Sequence, residues 1–388
     1  MQNVIMRPGS SRFGLIACVA AVLASAGCDV ENPTRVTPEN AEARRLIEGA
    51  SARWEEAIRT IVAGIFVASD EGTYHGTNTQ LYAVDETGDL SLYDFFQSRI
   101  TLVSEARVLL EMAIERAEEK RERALKRKAH TWRGWTLIRL AEIWGDQPIR
   151  PGGPVLTQRE ILEEARKDFL AAIEGGPDVR PDTMGEAGLE IPVDSAYTQA
   201  LAGIARINWL VGRSPVDPAL LQEAIAAVDE ALTLDPDLYF RIPVRTNTLR
   251  SGMGGSYRPT PAFANYRHWW QETSTYPLQG TKFVDKDELW LIKAEAQLLL
   301  GDLEGAKQSL KRTPLLPRNL SGVVRQRTYT QPLLTPEEID AYFDPLDEDG
   351  VLFAIRELQR ENQYTHGRRN VGPDGRPILP VALPAGVY

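Results

Sequence analysis

Two clusters of aromatic and amide side chains carry the chemistry most open to this sequence. The first gathers Tyr74, His75 and Tyr82 with Asn78 and Gln80; the second gathers Tyr266, His268, Trp269, Trp270 and Tyr276 with Asn265 and Gln271. Aromatic faces stack on the apolar C–H faces of sugar rings, and nearby amides read hydroxyls, so both mixtures suit a saccharide. A core patch beneath a long loop has the same composition. The run from Glu71 to Gln80 is too polar for a core, which favours a surface role for the first cluster. In the second, the adjacency of Trp269 and Trp270 turns at least one of them inward, and both readings stay open. Trp132, Trp135 and Trp144 fall in helical sequence and are expected in the core.

Signatures of covalent chemistry are missing. There is no P-loop, no nucleophile-elbow serine and no His-Glu-x-x-His, and Gly252-Met253-Gly254-Gly255 lacks the third glycine and the preceding strand of a dinucleotide site. Asp347 and Asp349 before Gly350 suggest a calcium loop, but the register puts Pro345 at its first position and Arg356 where a bidentate glutamate is required. His75, His130, His268 and His366 are too scattered for a metal site, and carboxylate pairs can be drawn anywhere among 54 acids. No cofactor, metal or catalytic residue is expected. The basic run Lys120, Arg121, Arg123, Lys126, Arg127 and Lys128 alternates with Glu118, Glu119 and Glu122, which reads as a solvated helix face.

Residues 13–28 form an apolar run ending in Ala26-Gly27-Cys28, behind Arg7 and Arg12 and no acid. It is long enough for a signal h-region and shorter than the roughly 20 residues that span a bilayer. Residues 1–27 are therefore expected to be a lipoprotein signal peptide, with Cys28 the lipidated first residue of the mature chain. The mature chain then has 42 basic and 54 acidic residues, a net charge of −12, which argues against nucleic acid as a partner. The other cysteine, Cys18, lies inside the signal, so neither a disulfide nor a thiolate site is available to the mature chain.

The elements that must position the clusters are helices. Thr37-Pro38 followed by Trp54, Ile58, Ile61, Val62 and Ile65 predicts a helix over about 38–68. Others are predicted over 92–117, over 121–144 with a stop at Gly145, from the Thr157/Glu160 capping box to Gly175-Gly176, and over 194–211, 217–234, 285–300, 302–312 and 349–363. Four of these carry a small residue, an apolar one four later and a small one three after that: Ala106, Leu110, Ala113; Ala165, Phe169, Ala172; Ala224, Val228, Ala231; and Ala306, Leu310, Thr313. That spacing puts the three on one helix face and lets a neighbour approach closely, which resembles the second helix of a tetratricopeptide repeat. Helix pairs are expected over about 38–117, 121–175, 194–234 and 285–313. Residues 69–91, 237–284 and 314–388 interrupt or follow them with irregular sequence, and such long stretches are usually functional surfaces.

Pieces spread along most of the chain resemble the SusD/RagB family of outer-membrane lipoproteins. They are Gly27-Cys28-Asp29-Val30-Glu31-Asn32-Pro33; the aromatic helix from Lys128 to Trp144 with its Gly145-Asp146-Gln147-Pro148 turn; Lys293-Ala294-Glu295-Ala296 with Leu300-Gly301-Asp302; and Arg356-Glu357-Leu358 with the closing Ile378 to Pro384. The resemblance implies an all-α fold of four tetratricopeptide-like units with long loop insertions, spanning residues 28–388. It further implies a cell-surface, lipid-anchored protein that binds an oligosaccharide or peptide and hands it to a SusC-like TonB-dependent transporter. A tetratricopeptide lipoprotein acting as an envelope assembly scaffold and a lipid-anchored glycosidase are the competing readings.

Overall fold

Helices paired side by side build this protein, and one small-residue face per pair decides how closely they pack. The computed structural model describes residues 41–68, 72–74, 78–87, 92, 94–150, 152–177, 195–243, 257–259, 280–313 and 335–363. In chain order the elements are α1 (Ala43–Ala68), β1 (Gly72–Tyr74), α2 (Thr79–Thr87), α3 (Asp94–Gln97), α4 (Arg99–Glu119), α5 (Arg123–Trp144), β2 (Gln147–Pro148), β3 (Val155–Leu156) and α6 (Gln158–Ile173). They continue with α7 (Ser195–Gly212), α8 (Pro218–Leu234), β4 (Tyr239–Pro243), β5 (Tyr257–Pro259), β6 (Gly280–Asp285), α9 (Lys286–Leu299), α10 (Leu303–Lys311), α11 (Pro336–Phe343) and α12 (Glu348–Gln363).

The pairs are α1 with α4, α5 with α6, α7 with α8, and α9 with α10, and each second helix packs on the first helix of the next pair. This is the repeat read from the sequence, and all twelve residues of the four triplets are buried. The tightest fit is at Phe169 of α6. A Cβ on Gly134 of α5 would lie 2.6 Å from the Phe169 ring, and one on Gly203 of α7 would lie 2.3 Å from it. Only glycine on both flanking helices admits the ring, so two pairs lock through one phenylalanine.

Local chemistry sets the helix ends. Thr157 and Glu160 form the expected capping box, and Asp217, Asp285 and Asp302 accept backbone N–H bonds at the starts of α8, α9 and α10. Gly145 closes α5 at φ 68°, a conformation that favours glycine. Most of the basic run around the start of α5 is the expected solvated face, and Arg127 departs from it. Arg127 is buried and donates to the carbonyls of Ala172 and Gly176, while Arg123 donates to those of Glu174, Gly175 and Gly176. Two guanidinium groups thus meet the partial negative charge at the end of α6.

Buried ions tie three pairs together. Arg206 of α7, with no exposed surface, is held between Glu142 of α5 and Glu288 of α9, both 3% exposed. Beside them Glu295 of α9 accepts from Arg356 at 2.8 Å and from Gln359 at 2.7 Å, which fastens α12 to the last pair. Apolar contacts complete that end: Val351, Ala354, Ile355 and Leu358 of α12 and Phe343 of α11 share a cluster with Leu291, Leu298 and Leu310.

Structure and expectation part elsewhere too: the 237–284 stretch, expected to be irregular, carries β4, β5 and most of β6. The predicted helix over 92–117 is broken at Ser98, although Ser98 keeps helical dihedrals of −61° and −20°. Within 69–91, expected to be irregular, stand β1 and α2; within 314–388 stands α11, opened by a second capping box at Thr335 and Glu338. Both helices are too short for a periodic signal to rise above the polar residues around them.

Candidate binding site

The stem of the long 237–284 stretch is rooted in the core. β4 and β6 pair antiparallel from Tyr239↔Asp285 to Pro243↔Gly280, and Phe240 and Phe283 enter an aromatic cluster with Trp54, Trp132 and Trp135. Ring centroids there lie between 4.8 and 6.3 Å, mostly edge to face, an arrangement that suits the ring quadrupoles. Trp54 Nε1 donates to Thr136 Oγ1 at 3.0 Å, so the buried indole keeps a partner. Trp132 and Trp135 are core residues as expected, and Trp144 is half-buried against Phe96 at 5.5 Å.

A second pairing joins the two stretches that hold the candidate clusters. β1 and β5 run antiparallel with Gly72↔Pro259, Thr73↔Arg258 and Tyr74↔Tyr257 in register. β1 in turn packs on α1 and α2, and α2 packs on α1. β1 and β5 therefore meet at one edge, beside the first helix pair.

The candidate residues divide as follows. Tyr74 ends β1; Tyr82 is on α2 and 42% exposed, a surface position. Asn78 caps α2, its Oδ1 accepting from the backbone N–H of Gln80 at 2.9 Å and of Leu81 at 3.2 Å. Gln80 is likewise engaged, donating from Nε2 to Asp94 Oδ2 at 2.6 Å. The structure thus brings Tyr74, Asn78 and Tyr82 to one strand–helix unit. Cys28, His75, Tyr266, His268, Trp269, Trp270 and Tyr276 lie outside the described residues.

Tyr257, which belongs to neither aromatic cluster, stands opposite Tyr74 across the ladder. Its run, Tyr257-Arg258-Pro259, is too short for a strand period to show, and only pairing with β1 gives it a position. Asp347 resolves in the opposite direction. Its Oδ1 accepts from the Gly350 N–H at 2.9 Å, so the residue that suggested a calcium loop caps α12.

Elsewhere, a crevice too narrow to admit a water molecule is lined by Arg206, Trp209, Glu288, Leu291, Ile292, Gln359 and Asn362. It has no room for a ligand, and its charged members are engaged in the ion pair that joins α7 to α9. It is packing space. No helix of the described residues is long and apolar enough to cross a membrane, and no group of three or more His, Cys, Asp or Glu among them could hold a metal ion.

Known structures share this architecture. A SusD/RagB family protein from Bacteroides thetaiotaomicron superposes with a TM-score of 0.58 at 14% identity, over 84% of this chain and 84% of that one. A SusD superfamily protein from Bacteroides vulgatus gives 0.53 at 16% identity, over 84% and 85%. A SusD-like carbohydrate-binding protein from the same species gives 0.50 at 14% identity, over 84% and 82%. No family model and no curated relative matches the sequence. The fold is that of the SusD-like proteins, mainly helical and built on tetratricopeptide-like pairs.

Proposed function

We propose that this protein is a surface lipoprotein that captures an oligosaccharide and delivers it to a SusC-like TonB-dependent transporter, without covalent chemistry. The observation that carries the reading is the β1–β5 pairing, because it ties the strand that ends at Tyr74 to the strand that precedes the second aromatic cluster in sequence, on a SusD-like scaffold. Tyr74, Tyr82, Tyr266, His268, Trp269, Trp270 and Tyr276 serve one ligand, with His75 next to Tyr74 in sequence. Rings stack on sugar faces and neighbouring amides read hydroxyls. One SusD-like protein of similar fold is described as carbohydrate-binding, which agrees with this choice of ligand. Acylation of Cys28 supplies the anchor at the outer membrane.

The test is copurification. A C-terminally tagged chain extracted from membranes in mild detergent is expected to bring down a large β-barrel in near-equal amount, and intact-mass analysis to find a diacylglycerol adduct on Cys28. A preparation with no barrel, accompanied by soluble envelope proteins, would overturn the import reading in favour of an assembly scaffold.

A further inference from the structure

We propose that Lys282 and Asn362 join through an amide between their side chains, a self-formed cross-link that Asp285 promotes and that ties β6 to α12. It is independent of the capture reading above.

Three buried polar side chains from two distant stretches meet here. Lys282 Nζ donates to Asp285 Oδ2 at 2.6 Å. Asn362 Nδ2 reaches both oxygens of the same carboxylate, at 3.1 and 3.4 Å. An amine and a carboxamide are thus held on one acid, whose Oδ1 is itself fixed by the Glu288 N–H at 2.9 Å. β6 leads directly into α9, and α12 packs on α9, so the frame holds both partners in place.

The other end of the amide marks the trio as more than a polar strut. Asn362 Oδ1 is buried and accepts no hydrogen bond, whereas nearly all buried carbonyls that serve structure are bonded. Asn362 also lines the narrow crevice beside Trp209, Leu291 and Ile292, which admits no water. The charges there, Arg206 and Glu288, are paired with each other. Phe283 and Val284, next to Lys282 in the chain, have no exposed surface. A nucleophile, a proton carrier and an electrophile therefore stand together where water does not compete.

The step balances without a co-reactant. A dry site penalises two ions more than two neutral groups, so a proton passes from Lys282 Nζ to Asp285 Oδ2. The neutral amine attacks Asn362 Cγ, and Asp285 relays protons from Nζ to Nδ2. The Nζ–Cγ bond forms, the Cγ–Nδ2 bond breaks, and Nδ2 leaves as ammonium with two of the three protons that Nζ carried. The chain's two cysteines, Cys18 and Cys28, both precede α1, so no disulfide can tie the later elements together. The amide takes that part, closing a loop from residue 282 to residue 362 and restricting the unfolded chain.

The experiment is peptide mapping of the full mature chain. Trypsin does not cut at an acylated lysine, so the segment from His268 to Lys286 is expected to stay whole and joined to the segment from Glu361 to Arg368. The joined pair should be lighter than its two parts by about 17 Da, the mass of ammonia. Asp285→Asn keeps a helix cap but no carboxylate, and is expected to lower the linked fraction at least tenfold. Lys282→Met and Asn362→Ala should show no link. Wild type with both segments separate and at full mass would overturn the proposal, whatever the variants do. A deficit of about 17 Da confined to the Glu361–Arg368 segment would be a succinimide at Asn362 and would overturn it equally. A deficit of about 18 Da within the Lys282 segment would place the bond between Lys282 and Asp285 and remove Asn362 from it. A linked fraction unchanged in Asp285→Asn would overturn the role of the acid.

Discussion

The joint between the second and third helix pairs and the edge around β1 hold their residues in opposite ways. At the joint, Phe169 is clasped by Gly134 and Gly203, and Arg206 is enclosed by Glu142 and Glu288. At the edge, a three-residue ladder and a nine-residue helix present Tyr82 to solvent. The joint tolerates almost no change of volume or charge, because its groups have no water to turn to. The edge can vary its side chains while the backbone stays fixed by α1. A binding protein needs this division, with a rigid frame in one place and an adaptable surface in another.

The largest effect should come from the charge at the joint. Arg206→Met removes the cation shared by Glu142 and Glu288, and is expected to cost about 3–5 kcal/mol in chemical denaturation. Replacing all three residues by apolar ones of similar volume should recover most of that loss. Recovery would show that the ions specify the arrangement of pairs more than they stabilise it. A triple variant as unstable as the single one would show that the network itself holds the joint.

Shape comes next. Gly203→Ala sets a methyl 2.3 Å from the Phe169 ring and should destabilise the fold by about 1–3 kcal/mol, read from the midpoint of urea unfolding. Adding Phe169→Leu should restore part of it, since the smaller side chain vacates the space that the methyl enters. If the two costs simply add, the ring is not what the glycine accommodates.

The joint was largely legible in the sequence, and the edge was not. Ala165, Phe169 and Ala172 announce a closely approached helix face because three residues on one face are enough to show period. What the sequence did not reveal is that Gly134 and Gly203 are the counterparts, since a glycine inside a helix reads equally well as a weakness. Arg127 was misread because a guanidinium that caps a distant helix looks the same in sequence as one facing water. At the edge, β1 and β5 are too short to show alternation, so the partnership of Tyr74 with Tyr257 is a fact of pairing alone. Asn78, read in sequence as a ligand group, caps α2 through its Oδ1, a helix-start role that asparagine also suits.

A smaller effect separates surface ions from those at the joint. Lys286 Nζ donates to Asp237 at 2.6 Å in the open, and this bond holds the Asp237 carboxyl below the ordinary aspartate range and raises the Lys286 ammonium. A lowered folded-state pKa contributes stability above the unfolded value and loses it as pH falls through the folded one. Asp237→Asn should therefore narrow the gap between stability at neutral pH and at strongly acidic pH, by an amount that shrinks in high salt. A variant with the same acid limb as wild type would show that the pair contributes nothing measurable.

Tyr82→Ala should change stability least of all, by less than about 0.5 kcal/mol, because the ring is 42% exposed and its helix is fastened to α1 through other residues. The same substitution is expected to weaken glycan binding several-fold by calorimetry. That dissociation of stability from binding is what a surface ring at the edge must show and a core ring at the joint cannot: Trp135, with no exposed surface, would lose both together. If Tyr82→Ala instead unfolds the protein as readily as Gly203→Ala, the edge is part of the frame. The contrast between an adaptable surface and a rigid joint would then have to be redrawn around the residues that follow β5.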